Sequence, residues 1–264
     1  GKGGGDIVDP VANIAPTFAA IQLEDISAPR CFEIESRLQE RLDIPVMHDD
    51  QHGTAVVTTA ALTNACRQSN IDITKAIIGQ IGLGAAGLAT SKMLMSYTGN
   101  SVLGADLSPE ALARFEAAGG KASHIEEIMQ KADIVIATTG VPGLIKPQMV
   151  RQGQIIFALS NPTPEIKPEI ALEAGAAFAA DGQSVNNVLG FPGILRGAVD
   201  TQVPYISHAM YLAAARTIAD VTKDGELVPN PLNKDVHKAV ARAVAEQAIK
   251  EGLARSDFVS YIDD

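Results

Sequence analysis

Residues 75 to 106 constrain this chain more than any other stretch. They read Lys75-Ala-Ile-Ile-Gly-Gln-Ile81, then Gly82-Leu-Gly84-Ala85-Ala86-Gly87, then a run of small residues at helical spacing, then Ser101-Val-Leu-Gly-Ala-Asp106. An apolar strand, a glycine turn, a helix, a second strand and a terminal acid follow one another. Gly82 permits the tight turn out of the strand, and Gly84, lacking a Cβ, lets a pyrophosphate approach the backbone. Gly87 lets the helix lie close on the sheet. The free amides at the helix start, from Gly84 through Ala85 and Ala86, and the positive end of its dipole favour phosphate charge. Asp106 follows at close to the roughly 20-residue spacing of a ribose-binding acid. A structural glycine turn alone would not require that acid, so the stretch predicts a dinucleotide site.

The rest of the chain repeats the alternation of strand and helix. Apolar strands are expected at Lys75–Ile81, Ser101–Asp106, Asp133–Ala137, Gln154–Leu159 and Ala176–Ala180. Such a pattern implies an α/β fold with a doubly wound parallel sheet, a Rossmann-type NAD(P)-binding domain with flanking helices. Upstream, Asp6 to Phe18 reads as a short helix. Ala19–Ile26 and Ile44–Met47 read as short strands, separated by a helix over Arg30–Arg41. His48–Thr54 reads as a polar loop, with a helix from Ala55 to Gln68. Ser123 and Glu126 have the spacing of a capping box. Ser207–Val221 and Lys234–Glu251 show helical spacing and are expected to close the core.

Composition removes several function classes. Among 264 residues, 46% are hydrophobic and 4% aromatic, with no Trp. That suits a core of Ala, Val, Ile and Leu, as helices packed on a parallel sheet would build. The net charge of −10 argues against a sequence-independent grip on nucleic acid, which needs a basic face. No apolar run reaches the length of a membrane span. Cys31 and Cys66 fit no metal or redox spacing and read as buried free thiols of a cytoplasmic protein.

A second set of residues carries possible chemistry. Glu24-Asp25 and Asp49-Asp50 end two neighbouring short strands, and neither pair has an adjacent Lys or Arg. Converging acids can be relieved by a hard divalent cation, Mg²⁺ or Mn²⁺. They read equally as solvated acids or helix caps. A zinc site on His48 and His52 lacks the Glu of a metalloprotease motif, and Gly53 is expected to interrupt a helix there, so both read as hydrogen-bonding partners. Asn161 and the Asn186-Asn187 pair lie in polar loops at strand carboxyl ends, where ligands of open α/β sheets bind. A neutral amide can donate to a carboxylate or accept from a hydroxyl; as turn residues, the same asparagines need no ligand.

Four longer motifs go further. They are Ile21-Gln-Leu-Glu24-Asp25-Ile-Ser-Ala-Pro-Arg30-Cys-Phe-Glu-Ile-Glu35 with Ile44-Pro-Val-Met-His-Asp49-Asp50-Gln-His-Gly-Thr54, Ala158-Leu-Ser-Asn161-Pro-Thr, and Gly182-Gln-Ser-Val-Asn186-Asn187-Val-Leu-Gly-Phe-Pro-Gly193. From Ile14 onward the chain closely resembles malic enzyme, the decarboxylating malate dehydrogenase, most of all its shorter bacterial forms. The resemblance implies Glu24, Asp25 and Asp50 as ligands of a catalytic Mg²⁺ or Mn²⁺, and Asp49 as an acid supporting proton transfer. It implies Asn161 and Asn187, with Asn186 beside them, as holders of malate. Gly82, Gly84, Gly87 and Asp106 would grip the cofactor, with Thr138, Thr139 and Gly140 lying towards the nicotinamide. The implied reaction is oxidation of (S)-malate at C2, then loss of the C4 carboxylate as CO₂ with Lewis-acid help, to pyruvate.

The family also has a smaller amino-terminal domain bearing a Tyr and a Lys of the acid–base pair, which this sequence does not include. The expectation is a fragment that binds NAD(P) and turns over malate poorly, from a parent that is a homodimer. Residues 1–5 are expected to be a flexible lead-in and 6–54 a metal-ligand-bearing segment joined to the same domain. Residues 55–264 would be the NAD(P)-binding domain with its C-terminal helices. Asp106 favours NAD over NADP, since a carboxylate repels a 2′-phosphate. A malolactic or oxaloacetate-decarboxylating relative, or a non-catalytic NAD(P)-binding module, remains an alternative reading.

Overall fold

The structure, a computed structural model, describes residues 5–185 and 187–256. The chain opens with α1 (Gly5–Ile14), β1 (Ile21–Leu23), α2 (Arg30–Arg41), β2 (Val46–His48) and α3 (Asp49–Gln68). The central part runs β3 (Ile78–Ile81), α4 (Ala85–Thr98), β4 (Leu103–Ala105), α5 (Pro109–Ala117), β5 (Lys121–Ala122), α6 (Ile125–Lys131) and β6 (Ile134–Ala137). It ends with β7 (Ile155–Ala158), α7 (Pro168–Glu173), β8 (Phe178–Asp181), α8 (Phe191–Asp200), α9 (His208–Val221) and α10 (Lys234–Lys250).

β1 and β2 form a two-stranded parallel sheet, with Leu23 opposite His48. The large sheet has six parallel strands in the order β5-β4-β3-β6-β7-β8. The winding reverses between β3 and β6, so a crevice opens beyond their carboxyl ends. β3, β6 and β7 are buried along their whole length, which is why they read as unbroken apolar runs.

Three sequence expectations need correction. The sixth strand, β5, was not expected. It is two exposed residues at the sheet edge, held by Lys121 N–H to Val102 O and Ser123 N–H to Gly104 O. An edge that short has no apolar signature. For the same reason Ser123 is not a helix cap: its amide belongs to the ladder, and its hydroxyl donates to Glu127 Oε2 at 2.7 Å. His124 precedes α6 without a side-chain cap. The third correction matters most. His48–Thr54 is not a loop, because α3 starts at Asp49. Gly53 does not interrupt that helix. A Cβ at Gly53 would stand 1.9 Å from Asp49 Oδ1, so glycine there makes room for a buried carboxylate.

α3 is buried over most of its length and takes part in two of the hydrophobic cores. Its first half packs with α8, α9 and α10 around Val56, Val57, Ala60, Met210 and Val240. Its second half joins the sheet face at Leu62, Ala65 and Cys66. A smaller cluster of Val8, Leu23, Ile34, Leu38 and Val46 binds α1, α2, β1 and β2. The late helices do close the core, as their spacing predicts. Among the described residues, no helix is long and apolar enough to cross a membrane.

α8 and α10 approach so closely that a Cβ on Gly197 would lie 2.4 Å from Ala241 O. Gly197→Ala is therefore expected to cost about 1–3 kcal/mol of stability, read from urea denaturation. Cys31 and Cys66 are free and buried. Burial, helped by the Glu35 charge, pushes the Cys31 thiol up to about 11; burial, helped by Asp72, pushes Cys66 up to about 12. Thiolate is the reactive form, so neither thiol should react with Ellman's reagent at pH 8 until the protein is unfolded, when both should.

Candidate active site at the switch point

A cleft of about 450 Å³ lies at the carboxyl ends of the strands. Its walls include Asp50 from α3, Ala86 from α4, Thr138 after β6, Ser160 and Asn161 after β7, and Asn187 before α8. Expected metal, cofactor and substrate residues therefore face one space, although up to 137 positions apart in the chain.

The glycine turn has the expected shape. Gly82 has φ +88°, and a Cβ there would meet Thr138 O at 2.7 Å. A Cβ on Gly87 would meet Gly82 O at 2.0 Å. Gly84 differs, since a Cβ there would touch no protein atom within 4 Å. Asp106 sits beside the turn, and its carboxylate accepts from Leu83 N–H at 2.7 Å and Ser108 N–H at 2.9 Å. It thus braces the turn, a role its position alone did not reveal. Below lies Gln80, fully buried in β3. Its amide donates to Gly82 O at 3.0 Å and Thr138 Oγ1 at 2.9 Å. Gln80 was missed, although a lone amide inside an apolar strand was a usable signal.

The acids gather at the start of α3. Asp25 N–H donates to Asp50 Oδ2 at 2.9 Å, and Asp25 has φ +57°, an uncommon conformation that Asp tolerates better than most residues. Asn187 donates to Asp49 Oδ2 at 2.7 Å. Asp49 is fully buried and its Oδ1 has no hydrogen-bond partner. Burial first, then the charges of Glu24 and Asp50, push its carboxyl up to about 7. Glu24 and Asp25 are exposed, and among the described residues no three His, Cys, Asp or Glu side chains form a finished metal-ligand set. The structure joins Asp25 to Asp50 through a backbone amide. Asn186 lies outside the described residues.

One residue missed by the reading holds this corner in place. Glu35 on α2 is buried, and its carboxylate accepts from His48 N–H at 2.8 Å and Gln51 Nε2 at 3.0 Å. His52 Nε2 lies 2.9 and 3.1 Å from its two oxygens. The His52 ring stacks on Tyr211 of α9, with centroids 4.6 Å apart and planes 6° off parallel. His52 is thus the expected hydrogen-bonding partner, whereas neither ring nitrogen of buried His48 makes a hydrogen bond. His48 Nε2 is 3.8 Å from Asp50 Oδ2, an ion-pair distance only. The signal available in sequence was Glu35 at a buried position of an otherwise amphipathic helix.

No protein-family model matches the chain. NAD-dependent malic enzyme 1 of Bacillus subtilis is 60% identical over 245 residues, which cover 92% of this chain and 56% of that relative. The bifunctional malic/malolactic enzyme of the same organism is 40% identical, covering 94% of this chain and 67% of the relative. The chain belongs to the malic enzyme family. A crystal structure of malic enzyme from Pyrococcus horikoshii superposes with a TM-score of 0.88 at 39% identity, covering 99% of this chain and 68% of that one. The chain thus spans just over half the length of its NAD-dependent Bacillus relative. The fold expected for a malic enzyme's dinucleotide domain is the fold observed.

Glu35 supplies a test of this corner. Burial pushes its carboxyl up, but the His52 hydrogen bond and charge and the His48 amide outweigh that and hold it below the ordinary 4.5. Glu35→Gln should therefore lower stability by about 1–3 kcal/mol at pH 7, measured by urea denaturation. The ionised contacts contribute fully above pH 4.5 and are lost as pH falls through the folded value. The deficit should shrink in acid; a deficit that persists unchanged there would count against the carboxylate.

Proposed function

We propose that the cleft serves oxidative decarboxylation of (S)-malate to pyruvate and CO₂ with reduction of a nicotinamide dinucleotide, assisted by Mg²⁺ or Mn²⁺. The observation that carries this reading is the single cleft shared by Asp50, Ala86, Thr138, Asn161 and Asn187. Family membership supports the reaction class, and the name of the 60% identical relative supports NAD. Asp106 supports NAD as well, because a carboxylate beside the turn repels a 2′-phosphate.

In this reading Gly82, Gly84, Ala85, Ala86 and Gly87 receive the pyrophosphate at the start of α4. Gly84 suits that role because nothing within the protein requires glycine there. Thr138, Thr139 and Gly140 flank the nicotinamide end, and Asn161, Asn186 and Asn187 orient malate. Asp49 is the proton-handling acid of the cleft, held by Asn187.

The donor set fits a hard cation. Asp49 Oδ1 is buried without a partner, and the charges of Glu24 and Asp50 press on that carboxyl. Glu24, Asp25 and Asp50 would hold the ion, which would polarise the oxygens of a 2-hydroxy acid. Residues 6–54 then act as the metal-bearing segment and 55–264 as the dinucleotide domain.

The name of the second relative, a bifunctional malic/malolactic enzyme, favours one competing product. Incubating the protein with (S)-malate, Mn²⁺ and NAD separates the two. Slow formation of pyruvate, with one NADH per malate turned over, is the expected result, whereas lactate without net NADH would favour the malolactic reaction. In parallel, Asp50→Asn should weaken Mn²⁺ binding by at least about tenfold in calorimetry. Unchanged Mn²⁺ binding would remove Asp50 from the ligand set.

A further inference from the structure

Glu165 is a fully buried carboxylate that neither the motifs nor the proposed chemistry uses. It sits in the loop between β7 and α7. Its Oε1 accepts from Thr139 N–H at 2.6 Å, from Thr139 Oγ1 at 2.8 Å and from the Ser160 hydroxyl. Its Oε2 faces Ser160 N–H at 3.4 Å. The network then continues in one sense. Ser160 Oγ accepts from Gly140 N–H at 2.8 Å, and Thr139 Oγ1 accepts from Val141 N–H at 3.1 Å. Two backbone bonds run beside it, Gly143 N–H to Pro164 O at 3.2 Å and Ile145 N–H to Glu165 O at 3.0 Å.

Every partner of this side chain is a donor, and an ionised carboxylate is the side chain that only accepts. A glutamine would turn one N–H towards these donors. Burying a carboxylate is costly unless charge-assisted hydrogen bonds compensate. The sheet does not need this one, because β6 and β7 are already paired from Ile134 and Ile155 through Ala137 and Ala158. The charge serves what lies beyond the strands. It ties the loop after β6, bearing Thr138, Thr139 and Gly140, to the loop after β7, bearing Ser160 and Asn161. Thr138, Ser160 and Asn161 all line the cleft.

We propose that Glu165 is a positioning residue that locks the dinucleotide loop to the Asn161 loop, so that one buried carboxylate sets both the nicotinamide and the malate subsites. The inference rests on the proposed function for the identity of the two ligands. Glu165 touches neither of them. Its effect is to hold both walls in the binding geometry beforehand, which lowers the ordering cost of each ligand.

The test compares the unaltered protein, Glu165→Gln and Glu169→Gln, an exposed carboxylate on α7. NADH affinity is read by fluorescence, malate affinity by calorimetry with NADH and Mn²⁺ present, Mn²⁺ affinity by calorimetry alone, and folding by thermal melting. Glu165→Gln should weaken NADH and malate together by about tenfold, the scale on which outer residues that orient ligands act. Its Mn²⁺ affinity should stay within about twofold, because the Asp50 wall belongs to α3. Glu169→Gln should match the unaltered protein throughout.

If Glu165→Gln does not fold, Glu165→Asp provides the same readout, since it keeps the carboxylate but draws it back from the Thr139 and Ser160 donors. A folded Glu165→Gln that binds both ligands normally, or loses only one of them, overturns the proposal. Equal loss of Mn²⁺ affinity also overturns it, as a general structural defect. An unaltered protein that binds NADH but no malate overturns the substrate reading instead, before Glu165 is changed.

Discussion

Burial of α3 on all sides is the constraint from which the rest of the architecture follows. The helix begins directly at the end of β2, with no connecting loop. Its small residues Ala55, Ala60, Ala61 and Ala65 lie at the core of two different clusters. One cluster holds the late helices and the other holds the sheet. A helix of larger residues could not let both α4 and α9 approach it closely, because close-packed interiors leave no slack for extra volume. α3 therefore fixes where the small two-stranded sheet stands relative to the large one. It also places Asp49 and Asp50 in its first turn, where the positive end of the helix dipole favours acids.

The cleft is built from loops that are each held by a buried polar side chain. Gln80 supports the glycine turn and Thr138 from below. Glu35 supports the start of α3. Glu165 supports the loops after β6 and β7. Each is removed from solvent, so each must satisfy its hydrogen bonds within the protein or destabilise it. This requirement turns flexible strand ends into fixed walls. Asp49 has one oxygen bonded to Asn187 and the other, like Gln80 Oε1, without a hydrogen-bond partner. A buried acid left partly unsatisfied, and pushed towards neutrality by its neighbours, is a common mark of a functional carboxylate.

Much of this was legible before the fold was known. The buried strands announced themselves as apolar runs, and the glycine turn specified its own geometry through Gly82 and Gly87. The edge strand at Lys121–Ala122 carried no such mark, because exposed residues at a sheet edge obey no burial pattern. The start of α3 was misread because Gly53 is a poor helix former in isolation. Its presence is explained by Asp49 Oδ1, a neighbour one turn earlier whose side chain is turned inward. Asp106 was placed correctly beside the turn, but its two bonds to Leu83 and Ser108 amides depend on how the turn folds over it.

By itself, the sequence determined the parallel α/β sheet, the glycine turn and the residue types available for chemistry. These follow from periodicity, glycine spacing and composition, which are local properties of the chain. Only the tertiary structure decided which of those residues meet. It put Asn187 against Asp49, Gln80 under Thr138, and Glu165 between Thr139 and Ser160. Such pairings join residues far apart in sequence, and they are chosen by packing of whole layers and by the cost of leaving a buried polar group without a partner. No local pattern encodes that outcome.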